Sequence, residues 1–432
     1  MTQNKKLAIL VGGGPAPGIN SVIGAATICS ILDGVEVIGV KDGFKWIMKG
    51  DINQVVPLTI EAISRIHFRG GCYIGISRDN PTKDSKYLEN AVTSLLRLNV
   101  DKLITIGGDD TAYSAMRLKE VAENRIRVVH VPKTIDNDID LPQGICTFGY
   151  QTARHLGVDI VKNLMVDAHT TSRWYFVVTM GRKAGHLALG IGKAAGATNT
   201  IIPEEFLDEK IAMNQIVDIL VGSIIKRLSY GRQDGVAILA EGLVEHLDPK
   251  ELEVLLKVER DAHDHIRLAE INFGEILKMK VQEKLAKMGI KMTIVAKNIG
   301  YELRCADPIP YDMEYTRDLG YSAAKHILNS GNGDIVSIQE GNFVPIPFEK
   351  LIDSKTGKMK IRMVDIESIY YKIARLYMLR LTKTDFEDPH ELAKLAATAK
   401  MPMDEFKNQF YYLIEKDKFY IKEKEEKIQI FG

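Results

Sequence analysis

Three segments within the first 140 residues combine glycine, carboxylate and lysine in patterns that suit phosphate chemistry. The first, GGGPAPGIN (residues 12–20), follows an apolar run and opens a stretch with helical character. Glycines let the backbone approach an anion, and a helix N-terminus offers unpaired N–H groups and the positive end of its dipole. The segment matches neither the dinucleotide-binding nor the Walker pattern, so a tight turn that simply requires glycine stays open as an alternative.

The second segment, GGDDT (residues 107–111), places two adjacent carboxylates directly after an apolar run. Adjacent carboxylates repel each other unless a cation compensates them, and Mg²⁺ bound to phosphate oxygens is a natural partner. Asp109 is therefore the candidate metal ligand. The alternative is an ordinary turn in which Thr111 caps the next helix.

The third segment, PKTIDND (residues 132–138), supplies one lysine and two carboxylates. Lys133 offers a cation for a phosphoryl oxygen. In extended backbone Asp136 and Asp138 would point the same way, because side chains two residues apart share a face. One could then accept a proton while the other orients water or metal. Together the three segments favour a phosphate-handling site over three unrelated turns.

Short β-rich runs separated by helical stretches must position these segments. The runs are residues 7–11, 35–40, 103–106, 128–131, 174–179, 236–240 and 292–295. Their spacing predicts βαβ units and mostly parallel sheets. Ligands of open α/β sheets bind beyond the carboxyl ends of the strands, so the segments after Val11, Ile106 and Val131 should face one crevice.

The chain has 432 residues, which predicts two or three domains. A second series of strands begins after about residue 150, and Gly432 alone of the 35 glycines lies beyond Gly357. Residues 363–381 and 389–427 show helical periodicity. The expected fold class is α/β, with two Rossmann-like three-layer lobes of mostly parallel sheets and a helical C-terminal extension. The expected boundaries are 1–150, completed by about 305–357, then 151–304 and 358–432.

Composition narrows the class of partner. The 57 basic residues balance the 57 acidic ones, which removes any global attraction to nucleic acid or to an anionic membrane. Residues 7–32 carry no charge, but the glycines and prolines of residues 12–18 interrupt them and predict a strand, a turn and a helix instead of a membrane span. The four cysteines form no CxxC pair, which favours a reducing, cytoplasmic compartment over a disulfide framework or structural zinc.

These segments resemble the phosphofructokinase family. GGGPAPGIN resembles its donor-phosphate loop, GGDDT its metal loop and PKTIDND its catalytic loop. Further matches are MGR (residues 180–182), EG (241–242) and GYELR (300–304). The resemblance covers roughly residues 5–340 in the family's order and spacing. NAD kinases and lipid kinases share a GGD loop but not this set.

The resemblance implies a role for each matching residue. Asp136 would take the proton from the sugar 1-hydroxyl, Asp109 would hold Mg²⁺, and Gly13, Gly108 and Arg78 would contact the donor phosphates. Fructose 6-phosphate would be bound by Thr134, Asp136, Met180, Gly181, Arg182, Glu241, Tyr301 and Arg304. The expected catalytic residues are Asp136, Lys133, Asp110, Thr134 and Arg182.

Arg173 resembles the arginine that the family lends to a neighbouring subunit's sugar phosphate. The resemblance therefore implies a homodimer or homotetramer with active sites shared between subunits. Two positions depart from the pattern of ATP-using bacterial members: Pro15 stands where they have aspartate, as in pyrophosphate-using relatives, and Val295 stands where they have a second sugar-phosphate arginine. Lys291 or Lys297 could substitute for it.

The resemblance also concerns the phosphoryl donor. ATP-using members typically have glycine at the position of Asp110 and often at that of Lys133. A carboxylate at position 110 would occupy the space of the ATP α-phosphate and repel its charge, whereas pyrophosphate has no such group. The implied activity is thus reversible, pyrophosphate-dependent phosphorylation of fructose 6-phosphate. An ATP-dependent 6-phosphofructokinase and a non-catalytic regulatory subunit are the alternatives. The intact Asp136, Asp109, Asp138 and Arg182 argue against the latter.

Overall fold

Two units make up the computed structural model of the protein, which describes residues 5–142, 144–206, 210–248, 251, 271–351, 353, 359–417 and 419. The first unit contains the described residues of Met1–Ala153 and Tyr301–Arg362. The second contains those of Arg154–Glu259, Arg267–Gly300 and Met363–Gly432. The first unit therefore draws on two distant stretches of the chain.

Strands and helices alternate along most of the described sequence. The strands are β1 Lys6–Val11, β2 Val37–Val40, β3 Val55–Leu58, β4 Val100–Gly107, β5 Arg127–Thr134, β6 Phe148–Gly149, β7 Trp174–Thr179, β8 Asn199–Ile201, β9 Gly235–Ala240, β10 Ile294–Ile299, β11 Asp334–Ile335, β12 Ile338–Gln339, β13 Asn342–Phe343 and β14 Ile346–Pro347. The α-helices are α1 Ile19–Leu32, α2 Ile60–Ile63, α3 Ser85–Arg97, α4 Asp109–Ala122, α5 Tyr150–Thr171, α6 His186–Ala195, α7 Met213–Ser229, α8 Phe273–Lys287, α9 Tyr301–Arg304, α10 Pro310–Leu328, α11 Ile369–Tyr377, α12 Lys383–Glu387, α13 Pro389–Thr398, α14 Met403–Phe410 and α15 Tyr412–Glu415.

The sheet of the first unit has the order β14-β11-β5-β4-β1-β2-β3, and β6 also pairs with β5. Strands β2, β1, β4, β5 and β11 run parallel, while β3 and β14 are antiparallel edge strands. Residues of β1 such as Ala8 and Leu10 pack with α3 and α4 in one apolar cluster. Helices α1 and α10 pack together, and α10 contacts β4 and β5. Burial on both faces explains the continuous apolar runs in these strands, such as residues 7–11 of β1.

The sheet of the second unit has the order β10-β7-β9-β8, with all of its pairs parallel. Helices α13 and α15 pack on α7, and α11 packs on α6. The C-terminal helices are therefore part of this unit's packing.

The C-terminal segment is helical, but as several short helices in place of the two long ones that periodicity predicts. Asp388 caps α13 by accepting from the His390 N–H at 2.8 Å, and Pro389 occupies the first helical position. Pro402 is instead the N-cap residue of α14. Because proline cannot continue the preceding helix, Pro402 divides the second periodic stretch between α13 and α14. The part of residues 389–427 beyond Phe419 lies outside the described residues.

The predicted α/β class is confirmed, and each of the β-rich runs corresponds to an observed strand. The last run is displaced, because the strand predicted at residues 292–295 lies at Ile294–Ile299. Residues 7–32 form β1, a turn and α1, as predicted. In the described part of the chain, no helix is both long and apolar enough to cross a membrane.

Candidate active site

The three segments that follow β1, β4 and β5 lie together, as predicted, because these strands are adjacent and parallel. The Gly12 N–H donates to Ile106 O and the Gly13 N–H donates to Ser77 O, each at 2.9 Å. A Cβ atom at position 12 would lie 2.6 Å from Thr111 Oγ1. Glycine is needed there because the first residues of α4 approach the backbone so closely.

The GGDDT segment forms the start of α4. Gly108 is the N-cap residue, and Asp109 and Asp110 lie in the first turn, where the helix dipole stabilises negative charge. The alternative in which Thr111 caps the helix is wrong. Thr111 lies inside α4, and its side chain packs against Gly12 and Gly107.

A buried histidine that sequence reasoning overlooked supports this segment. His130 is fully buried on β5, with Nδ1 at 2.8 Å from Thr105 Oγ1 and Nε2 at 3.0 Å from Gly107 O. Burial lowers the pKa of His130 to about 3, so the ring is neutral. Nε2–H then donates to the Gly107 carbonyl while Nδ1 accepts from the Thr105 hydroxyl. The available signal was a histidine inside the apolar run VVHV (residues 128–131).

Lys133 points toward the glycine segment from β5. The side chain is almost fully buried, and its Nζ donates to Gly14 O. Burial lowers the pKa of Lys133 to about 8, and the Arg304 and Arg78 charges add to this effect while Asp136 opposes it. A buried cation beside two others has a strong electrostatic preference for an anion.

Two arginines complete this positive cluster. A Cβ atom at Gly14 would lie 2.9 Å from Arg304 Nη1 and 3.7 Å from Arg78 Nη2. Burial and the neighbouring Arg78 lower the pKa of Arg304. Its buried Nε has no hydrogen-bond partner among the described residues. The guanidinium also lies 4.6 Å from the ring centroid of Tyr301. Both residues belong to α9, in the first unit.

Asp136 lies two residues beyond the end of β5. Its N–H donates to Thr134 Oγ1 at 3.0 Å. The prediction of an extended backbone here is wrong, because Asn137 adopts a left-handed conformation with φ of 57°. Asp136 and Asp138 therefore do not form a pair on one face of a strand.

In the second unit, four of the predicted residues lie together at the carboxyl ends of β7 and β9. The Gly181 N–H donates to Glu241 Oε1 at 3.1 Å, and the Met180 N–H donates to Ile299 O at 3.1 Å. A Cβ atom on Gly242 would lie 2.9 Å from Arg182 O. Adjacent parallel strands thus bring Met180, Gly181, Arg182 and Glu241 into one cluster.

The structure does not bring Arg173 to this cluster. Arg173 precedes β7 whereas Arg182 follows it, and the six residues of this strand span roughly 20 Å. Arg173 Nε lies 3.9 Å from an Asp167 carboxylate oxygen, too far for a hydrogen bond.

Val295 lies on the edge strand β10 opposite Tyr175, at the end of the sheet where Arg173 lies. Lys297 is two residues further along the same strand, so it shares a face with Val295. Lys291 precedes the strand and is exposed. Lys297 is therefore the one of these two lysines that lies on β10.

Comparison with known proteins adds independent information. The family model described as Phosphofructokinase matches residues 6–327. The chain is 51% identical over 416 residues to the pyrophosphate–fructose 6-phosphate 1-phosphotransferase of Thermotoga maritima, covering 95% of this chain and 99% of that protein. It is 49% identical over 418 residues to the protein of the same name from Naegleria fowleri, covering 95% of this chain and 96% of that one.

A solved structure shares the fold. It is the pyrophosphate-dependent phosphofructokinase from Marinobacter aquaeolei, with a TM-score of 0.64 and 17% identity, covering 87% of this chain and 90% of that one. The family match includes the glycine segment, the start of α4 and the Asp136 segment, which the first unit brings together. The chain therefore belongs to the phosphofructokinase family.

Proposed function

We propose that the protein transfers a phosphoryl group from pyrophosphate to O1 of fructose 6-phosphate, forming fructose 1,6-bisphosphate and phosphate in a reversible reaction. The observation that carries this is the cluster of Lys133, Arg78 and Arg304 at the glycine segment. Asp136 is close enough to Lys133 and Arg304 for its charge to raise the pKa of both. The relatives that match almost the whole chain carry the name of this reaction. The reaction belongs to glycolysis and gluconeogenesis, so we also propose the cytoplasm as its location.

The first unit would bind the donor and supply the base. Gly13, Gly108 and Arg78 would contact the donor phosphates, and Lys133 would neutralise the phosphate that leaves. Phosphoryl transfer needs little covalent chemistry from the protein, so fixed cations and positioning supply most of the catalysis. Asp136 would accept the proton of the sugar 1-hydroxyl as its oxygen attacks phosphorus.

The residues proposed to bind the sugar phosphate come from both units. Thr134, Asp136, Tyr301 and Arg304 belong to the first unit, and Met180, Gly181, Arg182 and Glu241 belong to the second. Glu241 is nearly buried and accepts from the Gly181 backbone, which fixes the segment that carries Arg182. Because Arg304 contacts Gly14, we also assign it part of the positive charge at the donor phosphates.

The donor atoms of the first unit fit Mg²⁺. In the described part of the chain, no group of three or more His, Cys, Asp and Glu side chains is arranged to hold a metal ion. Mg²⁺ does not require such a cage, because it binds through one or two carboxylates, water and substrate phosphates. Asp109, in the first turn of α4, would supply the carboxylate. When bound, Mg²⁺ would neutralise charge on the phosphoryl oxygens.

The donor is tested by assaying fructose 6-phosphate with pyrophosphate and with ATP. We expect turnover with pyrophosphate and almost none with ATP, because Asp110 at the start of α4 would repel an α-phosphate. Asp110→Gly is expected to raise the ratio of kcat/KM for ATP to that for pyrophosphate at least about tenfold, or about 1.4 kcal/mol.

Asp110→Asn is the matched control, because it removes the charge and keeps the volume. An ATP rate in this variant between those of the parent and of Asp110→Gly would show that both the charge and the volume of Asp110 exclude ATP. A parent protein that uses ATP as fast as pyrophosphate would refute the donor assignment, while the base and sugar assignments would stand.

We further propose a homodimer or homotetramer in which Arg173 serves a neighbouring subunit's sugar site. Arg173 and Arg182 lie at opposite ends of β7, so one small sugar phosphate cannot contact both on the same chain. Mixing inactive Arg173→Ala and inactive Asp136→Ala subunits, with exchange, should restore part of the activity through hybrid sites. Hybrid oligomers that form but stay inactive would show that each site is built within one chain.

A further inference from the structure

Arg362 holds the segment that follows Asp136, from a part of the chain beyond the family match at residues 6–327. Its Nε and Nη2 donate to Asn137 O at 3.2 and 3.1 Å, and Nη2 also donates to Asn137 Oδ1. Its Nη1 donates to Ile145 O at 2.7 Å, and its backbone N–H donates to Asp138 O at 2.8 Å. One side chain thus fixes both ends of the stretch from residue 137 to residue 145.

The conformation held in this way is an uncommon one. Asn137 is buried and has a φ of 57°, which asparagine tolerates better than most residues but still at a cost. Its Oδ1 also accepts from the Thr147 N–H at 3.0 Å, and Thr147 Oγ1 donates to Thr134 O at 2.7 Å. The backbone is therefore anchored on both sides of Asp136, by Thr134 before it and by Asn137 after it.

The contacts require a guanidinium. Its planar fork reaches three carbonyl oxygens, those of Asn137, Leu141 and Ile145, and one amide oxygen from a single position. An ammonium is a compact charge that cannot match this geometry. A backbone bridge between Ile139 and Ile361 aligns the two segments next to the arginine.

We propose that Arg362 is a positioning residue for the catalytic base, which sets the orientation of Asp136 through Asn137. The inference rests on the proposed role of Asp136 as the base. It assigns a part in this reaction to a residue that the family model does not include. A displacement of the base by about 1 Å costs on the order of 10²-fold in rate. Loss of the Arg362 contacts with Asn137 should therefore lower kcat measurably.

Steady-state kinetics of Arg362→Ala and Arg362→Lys test the proposal in the full chain. We expect kcat to fall about 10- to 100-fold in Arg362→Ala. The KM for pyrophosphate should change less than about threefold, because Lys133, Arg78 and Arg304 are untouched. Millimolar guanidinium should restore part of the kcat of Arg362→Ala, and Arg362→Lys should lie between the parent and the alanine variant.

Arg125→Ala is the matched control. Arg125 also lies in the first unit and donates to backbone carbonyls, those of Ala122 at 3.0 Å and Val121 at 2.9 Å, but at the far end of α4. Its kcat should equal that of the parent and should not respond to guanidinium.

Two results would overturn the inference. One is a kcat for Arg362→Ala within twofold of the parent. The other is a loss of kcat in Arg362→Ala that guanidinium does not reverse, together with an equal loss in Arg362→Lys and a fall in melting temperature large enough to account for the lost activity by unfolding.

Assaying Asp136→Asn in the same experiment separates the claim about Arg362 from the claim about the base. If Asp136→Asn is inactive and Arg362→Ala is active, the positioning role alone fails. If Asp136→Asn is active, the proposed base is wrong.

Discussion

Asp136→Asn is expected to lower kcat by about 10²- to 10⁴-fold, the usual contribution of a general base. The substitution preserves the shape of the side chain and the N–H contact with Thr134 Oγ1 at 3.0 Å, so folding and sugar binding should remain close to those of the parent. Removing an interaction made only in the transition state lowers kcat and kcat/KM together. Initial rates at several sugar concentrations measure both.

Asp140→Asn is the control for this substitution, because Asp140 lies four residues further along the same segment and has no assigned role. Its kcat should match the parent. A kcat for Asp136→Asn within a few-fold of the parent, in a protein with an unchanged melting temperature, would remove Asp136 from its role.

Lys133→Met is expected to lower kcat with pyrophosphate by about 10²- to 10³-fold, the effect of losing one fixed electrostatic contact to the transition state. Methionine fills a similar volume, so the loss would report the charge. The pH dependence gives a second measurement. Since the pKa of Lys133 is about 8, the side chain is charged below that pH and neutral above it. The kcat/KM for pyrophosphate should therefore fall as pH rises past about 8.

Pyrophosphate itself also ionises in alkaline solution, so the profile needs a comparison protein. The arginine of Lys133→Arg stays charged across the alkaline pH range, and this variant is assayed with the same ionising substrate. Its profile should lack the descending limb near pH 8, even if its absolute rate is lower. Identical limbs in the parent and in Lys133→Arg would assign the limb to the substrate and contradict the proposed role of this lysine.

How much of the site is predictable from sequence depends on how far apart along the chain the contacting residues lie. The glycine segment, Asp109 and Lys133 follow directly from apolar runs, and the parallel order of adjacent strands then brings them together. The conformation of Asn137 was missed because it depends on Arg362, which lies 225 residues further along the chain. Local pattern alone indicated an extended backbone there.

Arg304 shows the same limit. Its motif was recognised, but its place beside Gly14 follows from the packing of α9 in the first unit, which no local pattern reports. The short strands β11 to β14, of two residues each, were missed for a different reason. Two residues are too few to show the alternation by which strands are predicted.

The division of the first unit between two stretches of the chain has a consequence for synthesis on the ribosome. Domains usually fold as they emerge, N-terminal parts first. Here β11 completes the sheet by pairing with β5, and Arg362 reaches the Asn137 segment, only after the strands of the second unit have been made. β6 can pair with the end of β5 early, but the part of β5 at Val129 and His130 stays an open sheet edge while roughly 200 further residues are added, and such an edge is exposed to wrong pairing. The base segment would acquire its final shape only near the end of translation.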